Sequence, residues 1–172
     1  MQDKKFFGIM GNASKFLKGL TLLETSNSEW TQKYLDPSTG KHWLKYMIDR
    51  DNGRYFNLML LTPKPTTEEM IDIAFTSSDN DEVEGAVHRL YAEEEEEKID
   101  FRPALFERLK NIDTSELNAE EKKNIKSIIF NGHLTDRTNI REVIGKKIPE
   151  IQKDVEFFNE VADKAEQILK QL

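Results

Sequence analysis

Two textures of hydrophobic spacing divide the chain. Over residues 30–61, apolar and aromatic residues come in short runs separated by turn residues, whereas from Thr66 onward they recur every three or four positions. The first texture predicts a three-stranded antiparallel meander over 30–35, 41–49 and 54–61. Pro37 presets φ for the first turn and Gly40 can take a positive φ, while Asn52 and Gly53 supply a tight hairpin. Trp43, Lys45 and Met47 face one way and Leu44, Tyr46 and Ile48 the other, so both faces are substantially apolar and helices must cover one of them. Ahead of the meander, Phe6, Met10, Ala13, Leu17 and Leu20 share one stripe at helical spacing and predict an amphipathic helix. Lys4 and Lys5 precede a short apolar run, but Asn12, Lys15 and Lys18 interrupt it before it reaches the length of a secretory signal.

The second texture predicts helices with recognisable starts. Thr66 with Glu69 and Asn118 with Glu121 have capping-box spacing, in which the first side chain accepts from first-turn amides and the glutamate reaches back. Asp79 with Glu82 and Asn139 with Glu142 repeat the spacing, and Pro103 suits the first turn of a helix following Asp100. Asn131 and Gly132 predict a helix stop. In the last segment Ile148, Ile151, Val155, Phe158, Ala162, Ala165, Leu169 and Leu172 alternate steps of three and four, predicting a continuous helix over 148–172 with Pro149 in its first turn. Phe157, Val161 and Ile168 widen this stripe, which favours packing inside the domain and leaves a homodimer through the C-terminal helix as the lesser reading. The fold class is therefore α+β: an N-terminal helix and three-stranded antiparallel meander packed on a C-terminal array of five to six helices. Residues 1–64 form the helix-plus-meander part and 65–172 the helical part of one compact domain.

Glu68 to Phe75, a turn through Asn80, and then Asp81, Glu82, Val83, Ala86, Val87 and Leu90 form a helix pair that resembles the unit of HEAT-type repeats. In that family the second helix tends to begin with an acidic residue, a valine and a small residue. The resemblance covers residues 67–91 and implies an α-hairpin surface; the later helices do not repeat the pattern, and a repeat array needs at least three stacked units.

Composition narrows the chemistry. The 172 residues contain no cysteine, which removes disulfides, thiolate metal sites and cysteine nucleophiles and suits a reducing, cytoplasmic setting. Apolar runs such as 58–61 fall far short of the roughly 20 residues that span a bilayer, so no membrane partner is expected. The histidines are His42, His88 and His133, and no Gly-x-Ser-x-Gly elbow accompanies them. Gly8 and Gly11 lack the sequel of a phosphate loop, and no cofactor is implied. His42 reads as a half-buried strand residue and His133 as part of a helix end. An EF-hand reading of Asp79, Asp81, Val83 and Gly85 fails, since Val83 occupies a ligand position and Leu90 stands where the final glutamate belongs.

Charge is the most informative feature. The chain carries 25 Lys+Arg against 32 Asp+Glu, net −7. Residues 1–64 hold ten basic and six acidic residues, net +4, so residues 65–172 are net −11. Asp79, Asp81, Glu82, Glu84, Glu93, Glu94, Glu95, Glu96, Glu97 and Asp100 fall in one short stretch with only Arg89 and Lys98 as cations. Five consecutive glutamates near a helix C-terminus repel one another and oppose the helix dipole. A solvated, solubilising helix end is one account of them. The other is a partner-binding surface that steers and holds a basic protein, with Arg89 and His88 beside the contact. On this reading the chain is a non-enzymatic protein-binding module, by analogy a bacterial immunity or antitoxin-type inhibitor of a basic toxin. Two alternatives rank below it. The basic aromatic strands (Lys33, Lys41, Lys45, Arg50 and Arg54 among Trp30, Tyr34, Trp43, Tyr46, Tyr55 and Phe56) would stack and neutralise nucleic acid. Glu84 and His88, four apart on one helix face, would hold a metal for hydrolysis, although their spacing better suits a surface pair.

Overall fold

The computed structural model describes residues 4–48 and 55–172, and confirms the mixed α+β class. The element order is β1 (Phe6–Phe7), α1 (Met10–Leu17), β2 (Thr21–Thr25), β3 (Thr31–Leu35), β4 (His42–Met47), β5 (Phe56–Leu60), α2 (Thr67–Thr76), α3 (Asn80–Glu97), α4 (Arg102–Lys110), α5 (Ala119–Asn131) and α6 (Ile148–Gln171). The chain divides into two compact units, Met1–Arg89 and Leu90–Leu172, so the division falls within α3.

The first unit is built on an antiparallel sheet of five strands in the order β1-β5-β4-β3-β2. The expected meander is its centre. The turn between β3 and β4 forms because Asp36 accepts from the Ser38 amide and hydroxyl at 2.9 and 2.6 Å and from the Thr39 hydroxyl at 2.8 Å. Gly40 then takes a φ of 71°. These hydrogen bonds, led by that from the Ser38 side chain, hold the Asp36 carboxyl below its ordinary pKa. The expected Asn52–Gly53 turn, with Arg50 and Arg54, lies outside the described residues.

The N-terminal stretch differs from the expectation of one long amphipathic helix. Phe6 joins a short strand paired with Met59, α1 occupies only eight residues, and β2 adds the outermost strand, exposed at every position. Helices also cover both sheet faces. On one, Ala13 of α1 packs with Tyr34, Trp43, Leu58 and Leu60, joined by the half-buried Phe7, Phe16, Leu17 and Leu20. Phe7 and Phe16 stack at 4.4 Å and Trp43 meets Phe16 edge-on at 4.8 Å. On the other face, α3 approaches so closely that the Tyr46 hydroxyl donates to the Gly85 carbonyl at 3.2 Å. A Cβ added to Gly8 would lie 2.2 Å from the Gly85 nitrogen, so this crossing of main chains requires glycine.

Both expected capping boxes form. Thr66 accepts from the Glu69 amide while Glu69 accepts from the Thr66 amide, and Asn118 and Glu121 do the same. The Arg102 amide donates to Asp100 at 3.3 Å, and α5 ends at Asn131, although the left-handed residue there is His133 (φ 50°) and not Gly132. The helix expected from Asn139 does not form: the Asn139 side chain accepts from the Arg141 amide, but the residues that follow run as a bend, a turn and irregular chain into α6. In the second unit Phe101, Leu105, Leu109, Ile128, Ile129, Phe158, Val161, Ala162 and Ala165 are buried. No helix among the described residues is long and apolar enough to cross a membrane.

Candidate partner-binding surface

The acidic stretch proves to be several environments. At the start of α3, Asp81 is 3% exposed and accepts from Lys4 Nζ at 2.7 Å and from the Ile9 amide at 2.5 Å. Its own carbonyl accepts from the Gly8 amide at 2.9 Å. Asp79 takes the same ammonium at 2.5 Å and accepts from the Asp81 amide. Buried Glu82 accepts from the Lys5 amide at 2.7 Å and the Ser77 hydroxyl at 3.0 Å. These three carboxylates therefore anchor the residues flanking β1 to the helix start. Burial works against the Lys4 ammonium, but hydrogen bonds to Asp79 and Asp81 outweigh it and raise its pKa. Burial likewise opposes ionisation of Asp79, and Lys4 with the Asp81 and Glu82 amides reverses the balance, lowering its pKa below 3.8.

Toward the helix end, Glu93 and Glu94 are buried. Arg102 Nε donates to both Glu94 carboxylate oxygens at 2.8 and 2.9 Å, and its guanidinium lies 5.0 Å from the Phe158 ring centre and 5.5 Å from that of Phe101. Burial raises the Glu94 pKa, against the opposing pull of Arg102. Asp100 binds Arg141 at 2.5 Å, which also reaches Asp154 at 2.8 Å, and Lys146 holds the second Asp154 oxygen at 2.6 Å. Ile140, Arg141, Glu142 and Lys146 border, with Glu94, Lys98 and Asp100, a cavity of about 250 Å³.

Only Glu95, Glu96 and Glu97 form an exposed acidic group. Glu95 accepts from the Tyr91 hydroxyl at 2.8 Å; burial and that bond push the Tyr91 pKa to about 12. Tyr91 also stacks on His133 with 4.3 Å between ring centres. Lys98 ends the helix in the left-handed region (φ 57°), and its Nζ donates to the Glu95 carbonyl at 3.0 Å. Of the ten expected contact residues, then, Glu95, Glu96 and Glu97 are exposed side by side, Asp79 and Asp100 are exposed and held by Lys4 and Arg141, and half-buried Glu84 accepts from the Asn80 side-chain nitrogen at 2.7 Å.

The flanking expectations change as well. Arg89 is buried, its guanidinium 5.3 Å from the Tyr46 ring centre, and His88 Nδ1 lies 3.0 Å from the Asn57 side-chain amide. Both point into the sheet face and not beside an external contact. Glu84 and His88 thus have different neighbours, and no group of three or more His, Cys, Asp or Glu able to hold a metal occurs among the described residues. The aromatic strands are likewise committed to packing at Tyr34, Trp43 and Tyr46, while Trp30 and Tyr55 stay exposed. Trp30 borders an open hollow of about 560 Å³ with Gln32, Lys45 and Met47, and burial lowers the Lys45 pKa. What the sequence did not signal is the set of cations that take up the acidic stretch: Lys4 lies 77 residues from Asp81 and Arg141 lies 41 from Asp100, while Arg102 follows just beyond the stretch. Comparison of the chain with protein-family models, curated proteins and solved structures returned no match.

Proposed function

We propose that the chain is a non-enzymatic protein-binding module for a partner with a basic surface, of the kind an immunity or antitoxin-type inhibitor occludes. Its docking feature is the Glu95–Glu97 end of α3, and not the whole stretch from Asp79 to Asp100. One observation carries this reading. Glu95, Glu96 and Glu97 lie exposed side by side at the helix end where the dipole opposes negative charge. Exposed like charge of this kind accelerates encounter with a cationic groove, and the resulting contact blocks whatever that groove binds. A cytoplasmic setting belongs to the same reading, given the absence of cysteine.

The test is capture at graded salt with the immobilised chain and with a Glu95/Glu96/Glu97→Lys triple variant. A basic protein retained at low salt by the wild type, released at high salt and lost by the triple variant supports the proposal. A captured set identical for both chains refutes it. A Glu68/Glu120/Glu160→Lys control, with charge reversed elsewhere, is expected to behave as wild type.

A further inference from the structure

The short helix α1 packs over only part of its face of the sheet. Tyr34, Trp43, Leu58 and Leu60 lie against its Ala13. The next row along the same face is Thr25, Gln32 and Lys45, which stand opposite one another in the strand register. Gln32 comes two residues before Tyr34 and Lys45 two after Trp43, so strand alternation puts this row on the α1 side. Thr25, Gln32, Lys45 and Met47 line an open hollow of about 560 Å³, a volume within the range of small-molecule sites, roughly 300–1,000 Å³. The turn between β2 and β3 completes the lining with Ser28, Glu29 and Trp30.

Hydrogen bonds hold the polar groups of the hollow in place before anything binds, which lowers the cost of binding. Gln32 Oε1 accepts from the Tyr34 hydroxyl and from Lys45 Nζ, both at 3.0 Å, while its Nε2 donates to the Thr25 hydroxyl at 3.3 Å. Lys45 Nζ also lies 4.6 Å from the Phe56 ring centre. Among the described residues the partners of this half-buried ammonium are therefore neutral, and an ammonium has three hydrogens to donate. The turn is closed by the Ser26 amide on the Thr31 carbonyl and the Glu29 amide on the Ser26 carbonyl, both at 2.9 Å. It sets Glu29 at a φ of 60°, in the left-handed region that favours glycine, so a glutamate stands there at a backbone cost.

The mixture of groups selects the ligand. An anion suits Lys45 but is opposed by Glu29, a cation the reverse, and an apolar ligand strips water from both without replacing it. A single nucleic-acid strand needs a series of cations along its backbone, and among the described residues Lys45 alone supplies one to the lining. A sugar ring meets each requirement. Its hydroxyls both donate and accept, so one ring accepts from Lys45, donates to Glu29 and does either with Thr25 and Ser28. Its C–H face suits the negative π face of an indole, and Trp30 is 44% exposed. We propose that this hollow is a saccharide-binding site, with Trp30 as the stacking platform and Glu29, Gln32 and Lys45 as the polar contacts. It belongs to the first unit alone and is independent of the docking of a basic partner at Glu95–Glu97.

Titration of the full chain with maltose, cellobiose, lactose and chitobiose, followed by tryptophan emission and by calorimetry, tests it. At least one of these disaccharides is expected to move the emission saturably to shorter wavelength as water leaves an exposed indole. Trp30→Ala should abolish the heat of binding with circular dichroism unchanged. Lys45→Met should weaken binding about tenfold through loss of a charged hydrogen bond. Glu29→Gly should also weaken it yet melt at or above the wild-type temperature, because it removes the carboxylate and relieves the left-handed backbone together. The Glu95/Glu96/Glu97→Lys triple variant is expected to bind as wild type. No response to any of these sugars overturns the proposal, as does a heat of binding that survives Trp30→Ala. A response to glycylglycine, benzoate or oligothymidylate in place of the sugars assigns the hollow to a zwitterion, an anion or a nucleic-acid strand and also overturns it.

Discussion

The two ends of α3 carry similar numbers of carboxylates and treat them in opposite ways. At the start, Asp79, Asp81 and Glu82 bind the ammonium and amides of residues 4–9. At the end, Glu94 is sealed against Arg102 while Glu95, Glu96 and Glu97 stay in water. A count of charge along the sequence cannot distinguish these cases, because whether a carboxylate is available depends on cations and amides brought from elsewhere by the fold. The first end is a structural clamp, and the second separates one internal pair from one exposed cluster.

The largest effect expected from disturbing this arrangement is at Arg102. Arg102→Met leaves Glu94 buried without its partner and should cost about 3–5 kcal/mol of unfolding free energy in urea titrations. An Arg102→Met/Glu94→Gln variant should recover part of that loss. Next comes the clamp itself: Gly8→Ala forces main chain against main chain at Gly85 and should cost about 3 kcal/mol. Asp81→Asn keeps the shape but weakens the bonds to Lys4 and Ile9 and should cost about 2 kcal/mol, read in the same titrations.

Acid should then separate the two ends by sign. The Asp79 pKa lies below its ordinary 3.8, so its contribution is present above that value and disappears as pH falls through the native pKa. The Glu94 pKa lies above its ordinary 4.5, so the folded state takes up a proton first and gains stability as pH falls toward 4.5. Asp79→Asn should therefore flatten the loss of stability on acidification, and Glu94→Gln should steepen it, in melting curves collected between neutral pH and pH about 3. The smallest effect belongs to the exposed cluster. The Glu95/Glu96/Glu97→Lys variant should melt at or above the wild-type temperature, with a gain of up to about 1 kcal/mol from relieved repulsion and a better-matched helix dipole.

The parts of the fold legible in the sequence are those written locally. The Asp36–Gly40 turn, the two capping boxes and the spacing within α6 each depend on residues a few positions apart, and each forms where expected. The two additional strands were hidden for physical reasons. β1 has only two residues, and β2 is an exposed edge with a register shift between Leu22 and Glu24, so no inward–outward alternation marks it. Asn139 with Glu142 shows the converse, a capping spacing without a helix: the Asn139 side chain accepts from the Arg141 amide, as Asn118 does from the Glu120 amide, yet no helical turn follows it. The acidic residues were legible as an excess of charge but not as separate environments, since the distance from Lys4 to Asp81, or from Asp100 to Arg141, is closed only by the fold.

The exposed edge of the sheet has a practical consequence for handling the purified protein. β2 ends the strand order with every residue in solvent, Leu22 and Leu23 among them, so slow gelation in concentrated stocks should begin there by strand-to-strand templating. A lysine in place of Leu23 should lengthen shelf life without altering the melting temperature.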